Sequence, residues 1–175
     1  MHDYAICDLC DAHEDRLQQG RLQIVEPEYQ IYGGRRHFAG PVFTLKVFED
    51  NSLVRSLLEQ PGLGRVLVVA GGASRRCALL GGNLAALAAG NGWAGLLICG
   101  AVRDRLELDA AEVGIRALGL HPRKSTKRGL GGQGDEGTAL HFSGVRVRRG
   151  VWLYSAQDGH LVSVAPPPPA SPRQP

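Results

Sequence analysis

From Gly64 to Asp104 the chain reads GRVLVVAGGASRRCALLGGNLAALAAGNGWAGLLICGAVRD. No other stretch restricts the fold as much. Val66 to Ala70 and Gly95 to Cys99 are unbroken apolar runs, where a strand with one wet face would alternate with polar residues. Between them, Leu84 to Ala89 is a helix rich in Ala and Leu, closed by Gly90 and Asn91–Gly92. A strand, a helix and a second strand, with both strands apolar throughout, require a parallel pair covered on both faces.

The flanking segments extend this α/β centre. In PVFTLKVFED, Val42, Thr44, Lys46 and Phe48 alternate with Phe43, Leu45 and Val47, as in a strand. NSLVRSLLEQPG has helical spacing at Leu53, Leu57 and Leu58, with Asn51 or Ser52 as cap and Pro61–Gly62 as stop. LELDAAEVGIRALGLHP gives a short helix and a strand over Ile115 to Leu120. At the N-terminus, CDLCDAHED starts a short helix with Asp8 available as its cap. The C-terminal third, ALHFSGVRVRRGVWLYSAQDGHLVSVAP, reads as short strands turning at Gly144, Gly150 and Asp158–Gly159. RKSTKRGLGGQGDEG reads as a mobile loop, and PPPPASPRQP as a disordered polyproline-like tail. The expected organisation is one domain over residues 1–165 and a tail over 166–175.

Composition excludes several classes. A chain of 175 residues with 43% hydrophobic and 21% charged content suits one soluble globular domain. The formal charge of +3 comes from dispersed basic residues, whereas nucleic-acid binders concentrate theirs on one face. The run Arg123, Lys124, Lys127 and Arg128 has no interleaved aromatics and reads as a solvated loop or subunit contact. No apolar run is long enough to span a membrane, and the acidic N-terminus is unlike a secretory signal, so a cytoplasmic location is expected. Cys7 and Cys10 form a C-x-x-C, but Cys77 and Cys99 make no second pair, so reduced, mostly packed thiols are expected rather than zinc. The six histidines do not cluster. AGGASRR, over Ala70 to Arg76, lacks the spacing of a nucleotide loop, and no G-x-S-x-G elbow occurs.

Two constellations remain. Arg103–Asp104 follows the second apolar strand, at the end where α/β folds place ligands. Arginine binds a carboxylate bidentately, and aspartate beside it suits a hard divalent cation that keeps several waters. Together they suit a 2-keto acid. Glu107, three residues on, shares a helical face with Asp104. The second is LLGGNLA, where Gly81, Gly82, Asn83 and Leu84 could cradle an anion by main-chain amides at a helix start. Each motif also has an ordinary reading, as helix capping with surface ion pairing or as a tight turn.

Taken together, DLCDAHED, YGGRRHFAGPV, FEDNSLV, GRVLVVAGG, RRCALLGGNLAALA, NGWAGLLICGAVRD and GIRALGLHPRKSTKRG resemble one family in order and spacing. It is that of the regulator of ribonuclease E activity A and the class II 4-hydroxy-4-methyl-2-oxoglutarate aldolases. The resemblance implies a three-layer β/β/α sandwich of the swivelling-domain type, assembled as a homotrimer with active sites between subunits. It also implies that the amides of Gly81 to Leu84 and the side chain of Arg103 hold a pyruvyl group, with Asp104 ligating magnesium or manganese. The implied reaction is retro-aldol cleavage to two pyruvates, with oxaloacetate decarboxylation as a side activity. Glu107 or a carboxylate from a neighbouring subunit would be the base. The alternative implied role is a non-catalytic inhibitor that binds ribonuclease E. Many aldolase members carry an Asp where this chain has Gly82. The methyltransferase role once given to the family requires a nucleoside site that is not found after VLVVAGGASRR.

Overall fold

Four strands run parallel through the centre of the molecule, and the two continuous apolar runs are the middle pair. The computed structural model describes residues 5–26, 28–127 and 134–166. The elements begin with α1 (Ile6–Ala12), α2 (Glu14–Gln18), β1 (Leu22–Ile24), β2 (Gln30–Tyr32), β3 (Phe38–Val47) and α3 (Ser52–Leu58). The centre continues with β4 (Val66–Ala70), β5 (Ala78–Leu80), α4 (Gly82–Gly90), β6 (Gly95–Val102), α5 (Arg105–Ala110) and β7 (Gly114–Leu120). Then come β8 (Gly134–Glu136), β9 (Leu140–Phe142), β10 (Val145–Val147), β11 (Trp152–Ser155) and β12 (His160–Ser163).

The strand order is β1-β12-β11-β3-β4-β6-β7-β2, with β3, β4, β6 and β7 mutually parallel. β3 joins two sheets. Phe38 to Pro41 pairs antiparallel with β11, and Val42 to Lys46 pairs parallel with β4. A strand that changes partners midway folds the β11–β12–β1 sheet over the parallel one, which makes the β/β/α layering. Leu45, Leu67, Val69, Leu96, Ile98 and Ile115 face α3, α4 and α5. Val66, Val68, Leu97 and Leu118 face the second sheet, against Val151, Leu153 and Val162. Alternate residues of one strand thus enter two separate cores, so the sequence shows no polar alternation. Ile6 and Leu9 of α1 cover the outer face of the second sheet with Leu22, Tyr154 and Leu161.

The two layers meet at an aromatic slot. Gly95 of β6 and Gly114 of β7 are paired across the parallel sheet. The Phe38 ring, 5% exposed, lies directly on both glycines. A β-carbon on Gly95 would fall 2.2 Å from its Cδ2, and one on Gly114 2.0 Å from its Cδ1. The Arg116 guanidinium covers the ring at 4.9 Å. Arg116 is fully buried and donates to the carbonyls of Tyr32, Ile115 and Arg36.

Several boundaries differ from the sequence reading for local reasons. α4 starts at Gly82 rather than Leu84, and β6 runs on to Val102, so Arg103 is the first residue beyond it. The short strand β5 was not expected, since three apolar residues carry no period. Ala5 is the N-cap of α1, with Asp8 inside the first turn. Asn51 caps α3 without a side-chain hydrogen bond, and Asp50 Oδ1 accepts the Ser52 N–H instead, at 2.8 Å. Cys7 is exposed rather than packed. The basic loop is pinned where it is described. Ala78 N–H donates to Arg123 O at 2.8 Å, Ser125 N–H to Ala78 O at 3.2 Å and Thr126 N–H to Glu49 O at 3.1 Å. Arg128 and the rest of that loop to residue 133, and tail residues 167–175, lie outside the described residues.

Candidate functional site

β5 and the C-terminal end of β6 lie side by side, with Leu80 paired to Val102. The Arg103 N–H donates to the Leu80 carbonyl at 2.9 Å. The chain then turns twice within a few ångströms, from β5 into α4 and from β6 into α5. That proximity joins the two sequence motifs into one site.

The turn into α5 is made by Asp104, in the left-handed region at φ +61° and ψ +55°. A non-glycine residue there is uncommon, and aspartate is among the few that accept it. Asp104 is also the N-cap of α5, its carbonyl accepting the Leu108 N–H at 2.9 Å. Its side chain turns towards the start of α4, where Oδ2 accepts the Gly82 N–H at 3.1 Å.

Close approach explains both glycines. A β-carbon on Gly81 would lie 2.7 Å from Asp104 Oδ2 and 3.3 Å from Arg103 Nε. One on Gly82 would lie 2.5 Å from Glu107 Cβ and 3.6 Å from Asp104 Cβ. Arg103, Asp104 and Glu107 therefore lean on the glycine pair from above. Arg103 Nε is 3.6 Å from Asp104 Oδ2, and the two side chains are 38% and 41% exposed. An ion pair that long and that wet contributes little to stability, so both groups stay available to a ligand. Arg105 differs, since it bonds Asp109 at 2.8 Å and covers the Tyr32 ring at 4.9 Å.

A cleft of about 100 Å³ opens here, lined by Gly81, Asn83, Leu84, Arg103 and Asp104. Its size suits a small organic acid. Glu107 is exposed and packs against the buried Gly82, beside the cleft rather than in its wall. The expected four-amide cradle needs one correction, because the Gly82 N–H is already bonded to Asp104. Of the other three, the Gly81 N–H belongs to the N-cap, and those of Asn83 and Leu84 are first-turn donors with no carbonyl one turn back, at the positive end of the helix dipole.

The sequence reading missed the opposite wall. Asn51 and Arg55 from the start of α3, and Lys124 and Lys127 from the pinned segment after β7, line the same cleft. No spacing links these four, since the topology alone brings α3 and residues 124–127 to the end of β5. A larger cavity of about 610 Å³ lies between the ends of β3 and β4 and the β9–β10 hairpin. Phe48, Ala70, Cys99 and Phe142 give it mainly apolar walls, and it is not the place where Arg103 and Asp104 converge.

Among the described residues, no three His, Cys, Asp or Glu side chains converge on one point. The side-chain donors at the cleft are oxygens, from the Asp104 carboxylate and the amides of Asn51 and Asn83, with the Glu107 carboxylate alongside. That set fits a hard cation that keeps most of its water, and it does not fit a zinc cage. No described helix is long and apolar enough to cross a membrane.

Comparison with known proteins agrees with this architecture. The model of the RraA-like family, described as aldolase/RraA, matches residues 6–162. A Burkholderia multivorans protein named "Putative 4-hydroxy-4-methyl-2-oxoglutarate aldolase" is 58% identical over 160 residues, covering 91% of this chain and 96% of its own. A Cupriavidus necator protein of the same name is 55% identical over 156 residues, covering 89% and 93%. Among solved structures, the RNA-processing inhibitor RraA from Thermus thermophilis superposes with a TM-score of 0.86 at 43% identity, over 95% of this chain and 96% of its own. A Geobacillus kaustophilus protein described as an S-adenosylmethionine: 2-dimethylmenaquinone methyltransferase gives 0.84 at 44% identity, over 91% and 94%. The chain belongs to the RraA-like family of aldolase and RraA proteins.

Proposed function

We propose that this protein is a carbon–carbon lyase for small 2-keto acids. Its reaction would be cleavage of 4-hydroxy-4-methyl-2-oxoglutarate to two pyruvates, with oxaloacetate decarboxylation as a side activity. The observation that carries the reading is the convergence of Arg103, Asp104 and the free first-turn amides of α4 on one small cleft. In this reading Arg103 clamps the C1 carboxylate, and the amides of Asn83 and Leu84 donate to its second oxygen. The C3–C4 bond breaks as the C4 hydroxyl loses its proton, releasing one pyruvate. The bonding electrons pass into the other fragment as pyruvate enolate, which is protonated at C3. Arg103 lies where it offsets the enolate charge. Glu107, exposed beside Gly82, is this chain's candidate to take the hydroxyl proton. A divalent cation such as magnesium or manganese, held by Asp104, would supply Lewis acidity at the keto oxygen.

The proposed assembly is a homotrimer with the site between subunits. Leu106 and Leu120, close to the Arg103–Asp104 turn, are 82% and 50% exposed, which supports a covering surface at this edge.

The test is pyruvate release from oxaloacetate and from 4-hydroxy-4-methyl-2-oxoglutarate, with magnesium or manganese present. Asp104→Asn keeps an acceptor for the Gly82 N–H and removes the charge, so the rate is expected to fall about 100-fold or more with folding intact. Wild-type protein that releases no pyruvate from either substrate would overturn the proposal. The likeness to the Thermus inhibitor supports a second reading, a ribonuclease E regulator acting by surface contact. Retention of ribonuclease E on immobilised wild type and Asp104→Asn alike supports it, and no retention on either removes it.

A further inference from the structure

The lyase reading uses one cation of the cleft, yet the cleft presents four. Arg55, Lys124 and Lys127 share it with Arg103, against the single carboxylate of Asp104. Arg55 is partly engaged, since its Nε bonds Glu59 at 3.0 Å on the outer face of α3. Lys124 also lines an adjoining cavity of about 290 Å³ with Arg76, Arg123 and Glu49, where three cations outnumber one carboxylate. The backbone beneath these lysines is fixed. Lys124 bridges to Ala78 as a short parallel extension of β5, and Thr126 bridges to Asp50. Ser125, between them, is 3% exposed. This anchoring places Lys124 and Lys127 on the far wall of a cleft whose near wall is already cationic. Like charges repel across so small a space, and an anion with charge at both ends relieves that repulsion.

We propose that Lys124 and Lys127 form a second carboxylate subsite, which makes the site selective for 2-keto acids carrying two carboxylates. Arg103 takes the carboxylate next to the keto group, and the lysines take the distal one. The inference rests on the lyase reading and adds to it the residues that set substrate charge.

The experiment compares binding of 2-oxoglutarate, a dianion, with 2-oxobutyrate, a monoanion, by titration calorimetry in magnesium buffer. The proteins are wild type, the double variant Lys124→Met/Lys127→Met, and the charge-preserving Lys124→Arg/Lys127→Arg. KM for oxaloacetate is measured on each. Wild type is expected to prefer 2-oxoglutarate at least tenfold. The methionine variant loses that preference and its KM for oxaloacetate rises about tenfold, while 2-oxobutyrate affinity changes less than threefold. The arginine variant retains the preference. Equal wild-type affinity for both acids, or equal weakening of both by the methionine pair, overturns the second subsite and leaves the lyase reading intact. Wild type that binds neither acid and releases no pyruvate from oxaloacetate overturns both.

Discussion

Glu107 fills the space that a side chain at position 82 would need, its Cβ lying 2.5 Å from where a β-carbon on Gly82 would stand. The glycine is therefore set by contact and not by backbone angle, since it sits in the first turn of α4. It also explains how a carboxylate can be absent at 82 and yet present beside it. Gly82→Ala is expected to destabilise the protein by about 1–3 kcal/mol, the usual cost of overpacking. Truncating Glu107 to alanine leaves the offending Cβ in place, so relief requires Glu107→Gly. In a double-mutant cycle read by urea denaturation, Gly82→Ala should cost at least about 1 kcal/mol less in the Glu107→Gly background. Additive costs would show that the two residues do not share this space.

The Phe38 slot carries a second prediction. Gly95 and Gly114 lie under one ring, and the ring cannot withdraw without opening the core between the two sheets. Gly95→Ala is expected to lower stability by about 2 kcal/mol or more, beyond what removal of a strand glycine ordinarily does. Phe38→Leu alone should also destabilise, yet Gly95→Ala should cost less in its presence. Thermal melts of the four proteins check this, and a Gly95→Ala variant as stable as wild type would rule the slot out as a tight contact.

The central βαβ unit was legible because both of its faces are buried, and burial on both faces leaves continuous apolar runs in the sequence. Val66–Ala70 matches its strand end for end for that reason. The Arg103–Asp104 turn was legible as well, since its residue types are out of place directly after such a run. Arg116 was not. It stands in the apolar strand GIRALGL, and nothing local shows that its guanidinium is buried against Phe38 and three carbonyls. Lys124 and Lys127 were read as part of a solvated loop or subunit contact because their place is set by pairing with Ala78 and Glu49, 46 or more positions upstream. A charge beside a distant strand has no periodic signature. The amide of Gly82 was assigned to a ligand because its acceptor, Asp104, becomes a neighbour only when β5 and β6 align.

His160 gives the fold a measurable response to acid. It is 4% exposed, its Nδ1 lies 3.0 Å from Ser155 Oγ, and the Tyr29 ring meets it edge-on at 6.0 Å. Burial first, and then the Arg116 guanidinium, push its imidazole down to about 4, against a smaller upward pull from the Gly159 backbone. In the unfolded chain the same ring takes up its proton near pH 6.5. Between those values the unfolded state holds more protons than the folded state, so stability rises with pH across this window. It is complete above about 6.5 and is lost as pH falls towards 4. The loss from this residue reaches about 2 kcal/mol by pH 5. His160→Gln should be less stable than wild type at pH 7 and should lose less on acidification. Urea denaturation of both proteins at pH 7 and pH 5 measures the difference. A variant whose stability falls as steeply as that of wild type over this range would show that His160 is not the titrating group.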